Sequence, residues 1–234
     1  MPMSLARHVE DEMLDHLAAA DPRAQRSRDD LRRLHRAMAT LSITQSALDG
    51  AMAGSRPRTL LELGAGDGSM ALRVAQSRAA QWPGVQLTLL DRLNLVAPET
   101  LEGLLRVGWC AEVVTEDVFD WLAKATDVHW DVVCANLFLH HFSTGELRRL
   151  MAGIAMRTRV FQCCEPRRSL VSLAASHLVG AIGAGPVTRQ DAVLSVRAGF
   201  QGTELSALWP DRKDWVLREY PAGLFTHCFL AVRK

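Results

Sequence analysis

From Thr59 onward the chain predicts a doubly wound α/β domain with a mostly parallel, seven-stranded sheet, and three observations predict it. Short apolar runs alternate with helical patterns, which is the signature of βαβ units. A turn carrying three alternating glycines closes the first of those runs. The last two runs are joined by Pro221-Ala222-Gly223, a hairpin signal that adds an antiparallel ending to a parallel sheet.

Two helical segments precede the first run. Leu31, Leu34, Met38, Leu41, Leu48 and Met52 step by three and four, with Gln45 breaking the series, and predict one apolar stripe. Arg32, Arg33 and Arg36 fall off that stripe, so the Arg-rich residues 23–36, balanced by Asp29 and Asp30, are expected in water. Residues 1–56 are expected to form an N-terminal helical cap or lid, and residues 57–234 the α/β domain. Runs at 59–64, 87–91, 111–114, 131–136 and 159–164 predict five parallel strands. Residues 169–188 hold no Asp, Glu, Lys or Arg, but Gly180, Gly183, Gly185, Pro186 and His177 dilute them, so a buried helix is expected rather than a membrane span. The spacing of Leu170, Leu173, Ala174, His177, Leu178 and Ala181 sets His177 on its apolar face.

With 234 residues, 48% of them apolar and 23% charged, the chain suffices for one α/β domain with a sizeable core. A net charge of +1 supplies no field to concentrate a polyanion, which argues against nucleic acid as a partner. The five cysteines form no C-x-x-C pair and mostly lie in apolar runs, so they read as reduced core residues of a cytoplasmic protein. The first residues turn acidic at Glu10, Asp11 and Glu12, unlike the basic start of a signal peptide. The expected partners are a small-molecule acceptor and a second copy of the chain in a homodimer, with neither nucleic acid nor membrane.

Glu62-Leu63-Gly64-Ala65-Gly66-Asp67-Gly68 ends the first strand and opens a helix carrying Met70, Leu72, Val74 and Ala75. Glycines there allow a sharp bend and let a nucleotide-like ligand reach the backbone. A dinucleotide fingerprint needs glycine at position 69, where this chain has Ser69. No Lys or Arg lies between Thr59 and Ala71 to help a pyrophosphate.

The pattern E-x-G-x-G-x-G resembles the first motif of the class I S-adenosylmethionine-dependent methyltransferases, and the resemblance extends over most of the chain from Thr59. It implies S-adenosylmethionine as cofactor, held by Glu62, Gly64, Ala65, Gly66, Gly68, Asp91, Arg92, Asp117, Val118 and Asn136. Asp91, at the end of the second strand, would accept from the ribose hydroxyls. Glu116-Asp117-Val118 would meet the adenine, and Asn136 would lie beside the methionine portion. An ammonium, a sulfonium, a diol and an exocyclic amine suit carboxylates such as Glu62, Asp91 and Asp117.

After the fourth strand, Leu137-Phe138-Leu139-His140-His141-Phe142 leads into Ser143-Thr144-Gly145-Glu146, a capping box that makes Ser143 a helix N-cap. This stretch is similar to the His-Asp-Trp-Ser segment of family members that methylate phenolic hydroxyls. The similarity implies His140 as general base, neutral at cytoplasmic pH, with His141 where relatives carry an acid. Metal-dependent relatives place Asp where this chain has Asn136, and Glu165 alone is one carboxylate, so no metal is expected. Residues 191–210, with Ser195-Val196-Arg197-Ala198-Gly199-Phe200, resemble small bacterial methyltransferases of secondary metabolism.

The expected activity is methyl transfer to a small apolar or phenolic, polyketide-like metabolite, on oxygen. Two rivals stand beside it. One is a cofactor-binding partner protein without activity. The other is a nicotinamide oxidoreductase, disfavoured by Ser69 and by Leu224, where a Tyr-x-x-x-Lys pair starting at Tyr220 needs lysine.

Overall fold

A computed structural model describes residues 5–52, 54–124 and 128–234. Three helices come first, α1 (Met13–His16), α2 (Pro22–Ala37) and α3 (Thr40–Met52). The α/β part then runs β1 (Thr59–Leu63), α4 (Ser69–Arg78), β2 (Gln86–Asp91), α5 (Pro98–Arg106), β3 (Cys110–Thr115), α6 (Val118–Lys124), β4 (Trp130–Asn136), α7 (Thr144–Arg157) and β5 (Thr158–Pro166). It ends with α8 (Leu170–Leu178), α9 (Pro186–Ala198), α10 (Glu204–Leu208), β6 (Trp215–Ala222) and β7 (Thr226–Arg233).

All seven strands form one sheet in the order β3-β2-β1-β4-β5-β7-β6. The first five are mutually parallel, and β7 runs antiparallel to both β5 and β6. Strand order reverses between β1 and β4, and in open α/β sheets the crevice outside the carboxyl ends at that switch point is where ligands bind.

The sheet is covered on both faces. Leu61, Leu63, Val133 and Phe161 pack with Leu147, Leu150 and Met151 of α7, while Leu60, Leu87, Leu89 and Val132 pack with Val74, Leu104, Trp109 and Leu48 of α3. The second face is also the one that receives Glu62, because side chains alternate along β1. α3 lies against β5 and β7, whereas α1 and α2 lie against α9.

Three local expectations need correction. The single stripe from Leu31 is broken at Ala39, whose φ of 55° turns the chain between α2 and α3. Asp30 is buried, not solvated: it accepts from the Gly185 N–H at 2.7 Å and from Thr188 Oγ1 at 2.9 Å, tying α2 to the start of α9. Its charge is matched by Arg33, so the basic face is held in part from inside.

α8 is the third correction, because it lies on the surface instead of in the core. Ser172 and Ser176 face inward, with Ser172 Oγ donating to the Leu224 carbonyl, while Leu170, Val171, Leu178 and the nearby Ile182 are exposed, and so is His177. Of the cysteines, all five are free and four are buried, but Cys110 is exposed at the outer strand β3. Among the described residues no helix is long and apolar enough to cross a membrane.

Candidate active site at the carboxyl ends of β1, β2 and β4

The glycine turn is built from local hydrogen bonds. Ala65 N–H donates to the Leu90 carbonyl at 3.1 Å, stitching the turn to β2, and Gly68 N–H donates to the Ala65 carbonyl at 2.9 Å. Asp91 at the end of β2 accepts from Gly66 N–H and from Leu93 N–H, each at 2.9 Å. One carboxylate therefore fixes both the turn after β1 and the bend after β2.

The glycines do different work. Gly64, Gly66 and Gly68 all have positive φ, which side chains with a Cβ rarely adopt. At Gly64 a Cβ would also collide with the Phe138 ring, 2.4 Å away, so this glycine lets the histidine loop pack on the turn. At Gly66 a Cβ would meet nothing within 4 Å, so the backbone there is open to a ligand.

Glu62 is buried on β1, 4% exposed, and its Oε2 has no hydrogen-bond partner among the described residues. Burial pushes this carboxyl up to about 8, against hydrogen bonds from the Asn136 side chain and the Ala71 backbone that favour the charged form. Asn136 ends β4 and is itself oriented by Thr44 of α3, whose Oγ1 donates to Asn136 Oδ1 at 3.2 Å. Thr44, Glu62 and Asn136 line one small cavity with Met70 and Trp109. A buried carboxyl with an unspent oxygen, on the strand that leads into a turn with an open glycine backbone, fits a ligand with a positive end and polar hydroxyls.

Asp117 and Val118 are placed differently. The Asp117 carboxylate caps α6, accepting from Phe119 N–H at 2.8 Å, and Val118 is buried beside Leu90 and Val114. Glu116 pairs with Lys124 at the surface. Arg92 reaches Asp15 of α1 at 2.5 Å. Ala65 is buried in the face shared with α4.

The histidine loop is held from afar. Leu137 has φ of 51°, after which Leu139–His141 form a short 3-10 turn and Ser143 caps α7 in the expected capping box with Glu146. Glu165, fully buried on β5, accepts from Phe138 N–H at 3.1 Å and Leu139 N–H at 2.9 Å through Oε1. Its Oε2 accepts from His140 N–H at 3.3 Å and lies 2.8 Å from His140 Nδ1. Arg7 completes the loop by donating to the His140 and Phe142 carbonyls at 3.1 and 2.9 Å.

The other ring nitrogen of His140, Nε2, lies 3.3 Å from Glu12 Oε1 in the segment that leads into α1. His141 Nδ1 lies 3.4 Å from Asp15, which also holds Arg92. The segment around α1 thus crosses from the end of β2 to the end of β4. It is anchored on α9, where Asp191 accepts from Met13 and Leu14 N–H at 2.8 and 3.0 Å. Burial alone would lower the His140 pKa, but its hydrogen bonds to Glu12 and Glu165 outweigh burial and raise it to about 9. The two carboxylates on its ring nitrogens therefore favour a positive charge at His140, and any cation between Nε2 and Glu12 would supply it.

Sequence reasoning brought the glycine turn, Asp91, Asn136 and the histidine pair to one edge, and the structure joins them there. It missed Glu12, Asp15, Thr44 and Arg7 as members of the site. Glu165 was weighed only as a metal ligand, although an acidic residue at the end of a strand beside the switch point is a usable signal.

Solved structures that superpose on this chain include methyltransferases. No protein-family profile and no curated protein matches the chain by sequence. The structure of the plantazolicin methyltransferase BpumL with S-adenosylhomocysteine (SAH) superposes with a TM-score of 0.66 at 12% identity, covering 92% of each chain. Magnesium protoporphyrin IX methyltransferase (ChlM) from Synechocystis, also with SAH, gives 0.54 at 15% identity over 94% of this chain and 91% of that one. The pyocyanin biosynthetic protein PhzM gives 0.59 at 18% identity over 96% of this chain and 62% of its own. The chain has the class I methyltransferase fold.

Proposed function

We propose that the protein is an S-adenosylmethionine-dependent methyltransferase acting on an oxygen of a small, mostly apolar or phenolic metabolite. The observation that carries this reading is the pairing of the open Gly66 backbone, fixed by Asp91, with the buried, partly unpaired carboxyl of Glu62, on a fold shared with SAH-bound BpumL and ChlM. Glu62, Gly64, Ala65, Gly66, Gly68, Asp91, Arg92 and Asn136 are the proposed cofactor contacts. Asp117 and Val118 would serve the adenine end through the start of α6.

When bound, the cofactor supplies an electrophilic methyl carbon on a sulfonium. The acceptor oxygen would take the methyl group, sulfur would keep the electron pair of the broken bond, and the acceptor's proton would pass to solvent by way of the part-exposed His141. The protein's main task is to hold the acceptor oxygen ~3–3.5 Å from that carbon, in line with the breaking bond. His140 and His141 are the proposed side chains facing the acceptor oxygen. The segment around Glu12 and Asp15 is proposed to shut the acceptor site from water, since it already bridges Arg92 and both histidines. The proposed setting is a cytoplasmic homodimer, checked by light scattering.

A methyl-transfer assay against a panel of phenolic and polyketide-like metabolites tests the enzymatic reading. SAH binding without turnover on any member would favour the inactive partner protein instead.

A further inference from the structure

His140 presents an unusual juxtaposition. Its Nδ1 faces buried Glu165 at 2.8 Å, and this pairing fixes the Nδ1–H tautomer of a neutral ring. The lone pair on Nε2 then points at a second carboxylate oxygen, Glu12 Oε1, at 3.3 Å. Two acceptors face one another, so a cation belongs between them. A proton is one such cation. His141 argues for another, because its donor atom and those of Glu12 and His140 all lie within 4.8 Å of one another.

We infer that Glu12, His140 and His141 form a three-ligand site for one zinc-type divalent transition-metal ion. In a tetrahedral site with ligands ~2.0–2.1 Å from the metal, neighbouring donors sit about 3.3 Å apart. The Glu12–His140 pair already has that separation. Two imidazoles and a carboxylate are the donor set of a zinc site that keeps a fourth position open. The outer partners are in place as well. Glu165 holds the far nitrogen of His140, Ser195 donates to the same Glu12 oxygen, and Asp15 lies beside His141 Nδ1.

Charge points the same way. With both imidazoles neutral, as ligation requires, Glu12, Asp15, Glu165 and Asp191 stand here against the guanidiniums of Arg7 and Arg92, an excess of two carboxylates that matches a dication. His141 is 29% exposed, which gives the ion an entry path. The site deepens the reading above and rests on it only for the role of the fourth position. There an acceptor oxygen would bind as an anion, its proton leaving to solvent on the part-exposed His141 side of the site.

Cobalt(II) titration of the chelator-treated, full-length protein tests the inference. One ion per chain is expected, with visible d–d absorption and no thiolate charge-transfer band. Glu12→Gln and His141→Gln should each weaken binding by more than about 100-fold, and Glu165→Gln by ~10–100-fold. His141→Gln alters a part-exposed side chain, and unchanged circular dichroism would show that it folds. Absence of stoichiometric binding, a thiolate band, or binding unaltered in His141→Gln and Glu12→Gln would overturn the site. SAH affinity, measured on the same samples, reports separately on the methyltransferase reading.

Discussion

The two halves of the candidate site are built in opposite ways. On the cofactor side, the turn after β1 is held chiefly by neighbours in the sheet, Ala65 bonding to Leu90 and Asp91 holding Gly66, with Arg32 of α2 adding one surface ion pair to Asp67. On the acceptor side, the loop after β4 is held by Glu165 from the next strand, Arg7 from the N-terminal arm and Glu12 from the approach to α1. Adjacent parallel strands impose the first arrangement, whereas the second requires the whole chain to be folded. The cofactor side should therefore tolerate changes in the N-terminal arm, and the histidine loop should not.

The largest expected effect concerns the one costly group on the cofactor side. The Glu62 pKa of about 8 lies above its ordinary 4.5, so its contribution to stability is whole below about pH 4.5 and is lost as pH rises through 8. A tenfold change in proton affinity is worth ~1.4 kcal/mol, so the loss is on the order of 4–5 kcal/mol. Urea unfolding of wild type and Glu62→Gln across that window checks it: the wild type should lose stability with rising pH and the variant should stay flatter. Parallel profiles would mean that Glu62 is ionised at little cost.

Next comes Glu165→Ala. It strands the Phe138 and Leu139 N–H groups in the interior and frees the His140 ring, and it should cost ~3–5 kcal/mol in denaturant unfolding. A loss under about 1 kcal/mol would show that the loop does not depend on its remote carboxylate.

Gly64→Ala should destabilise by ~1–3 kcal/mol, from a strained φ and the collision with Phe138, the one place where the two halves touch through a missing Cβ. Gly66→Ala meets no side chain, so it should cost less in stability and show its effect mainly in SAH affinity. Equal unfolding midpoints and equal SAH affinities for the two variants would erase that distinction. The smallest stability effect belongs to Arg7→Gln, about 1–2 kcal/mol from hydrogen bonds to two loop carbonyls, with SAH affinity unchanged.

The same contrast sets what could be read in the sequence. The glycine turn, Asp91 and the Ser143 capping box were legible because each acts on residues near in sequence or on an adjacent strand. Glu12 stands in an acidic run that suggested only the absence of a signal peptide, and its partner lies 128 residues away. Asp30 looked like a surface counter-ion because its real partners, Gly185 and Thr188, come from another helix start. α8 defeated periodicity for a related reason. Its apolar spacing predicts burial, but the side that turns in is the one on which Ser172 donates to the Leu224 carbonyl and Ser176 back-bonds to Leu173. Asp117 was legible as an acid at a strand end, and the structure adds that its Oδ1 accepts from the Phe119 N–H as the cap of α6.

The most direct test of the cofactor assignment is calorimetric titration of the full chain with SAH and, separately, with NAD. The wild type should bind SAH and not NAD, and Asp91→Ala should lose ~1.5–3 kcal/mol of SAH affinity, the range for hydrogen bonds to a charged group. Tight NAD binding with no heat from SAH would contradict it.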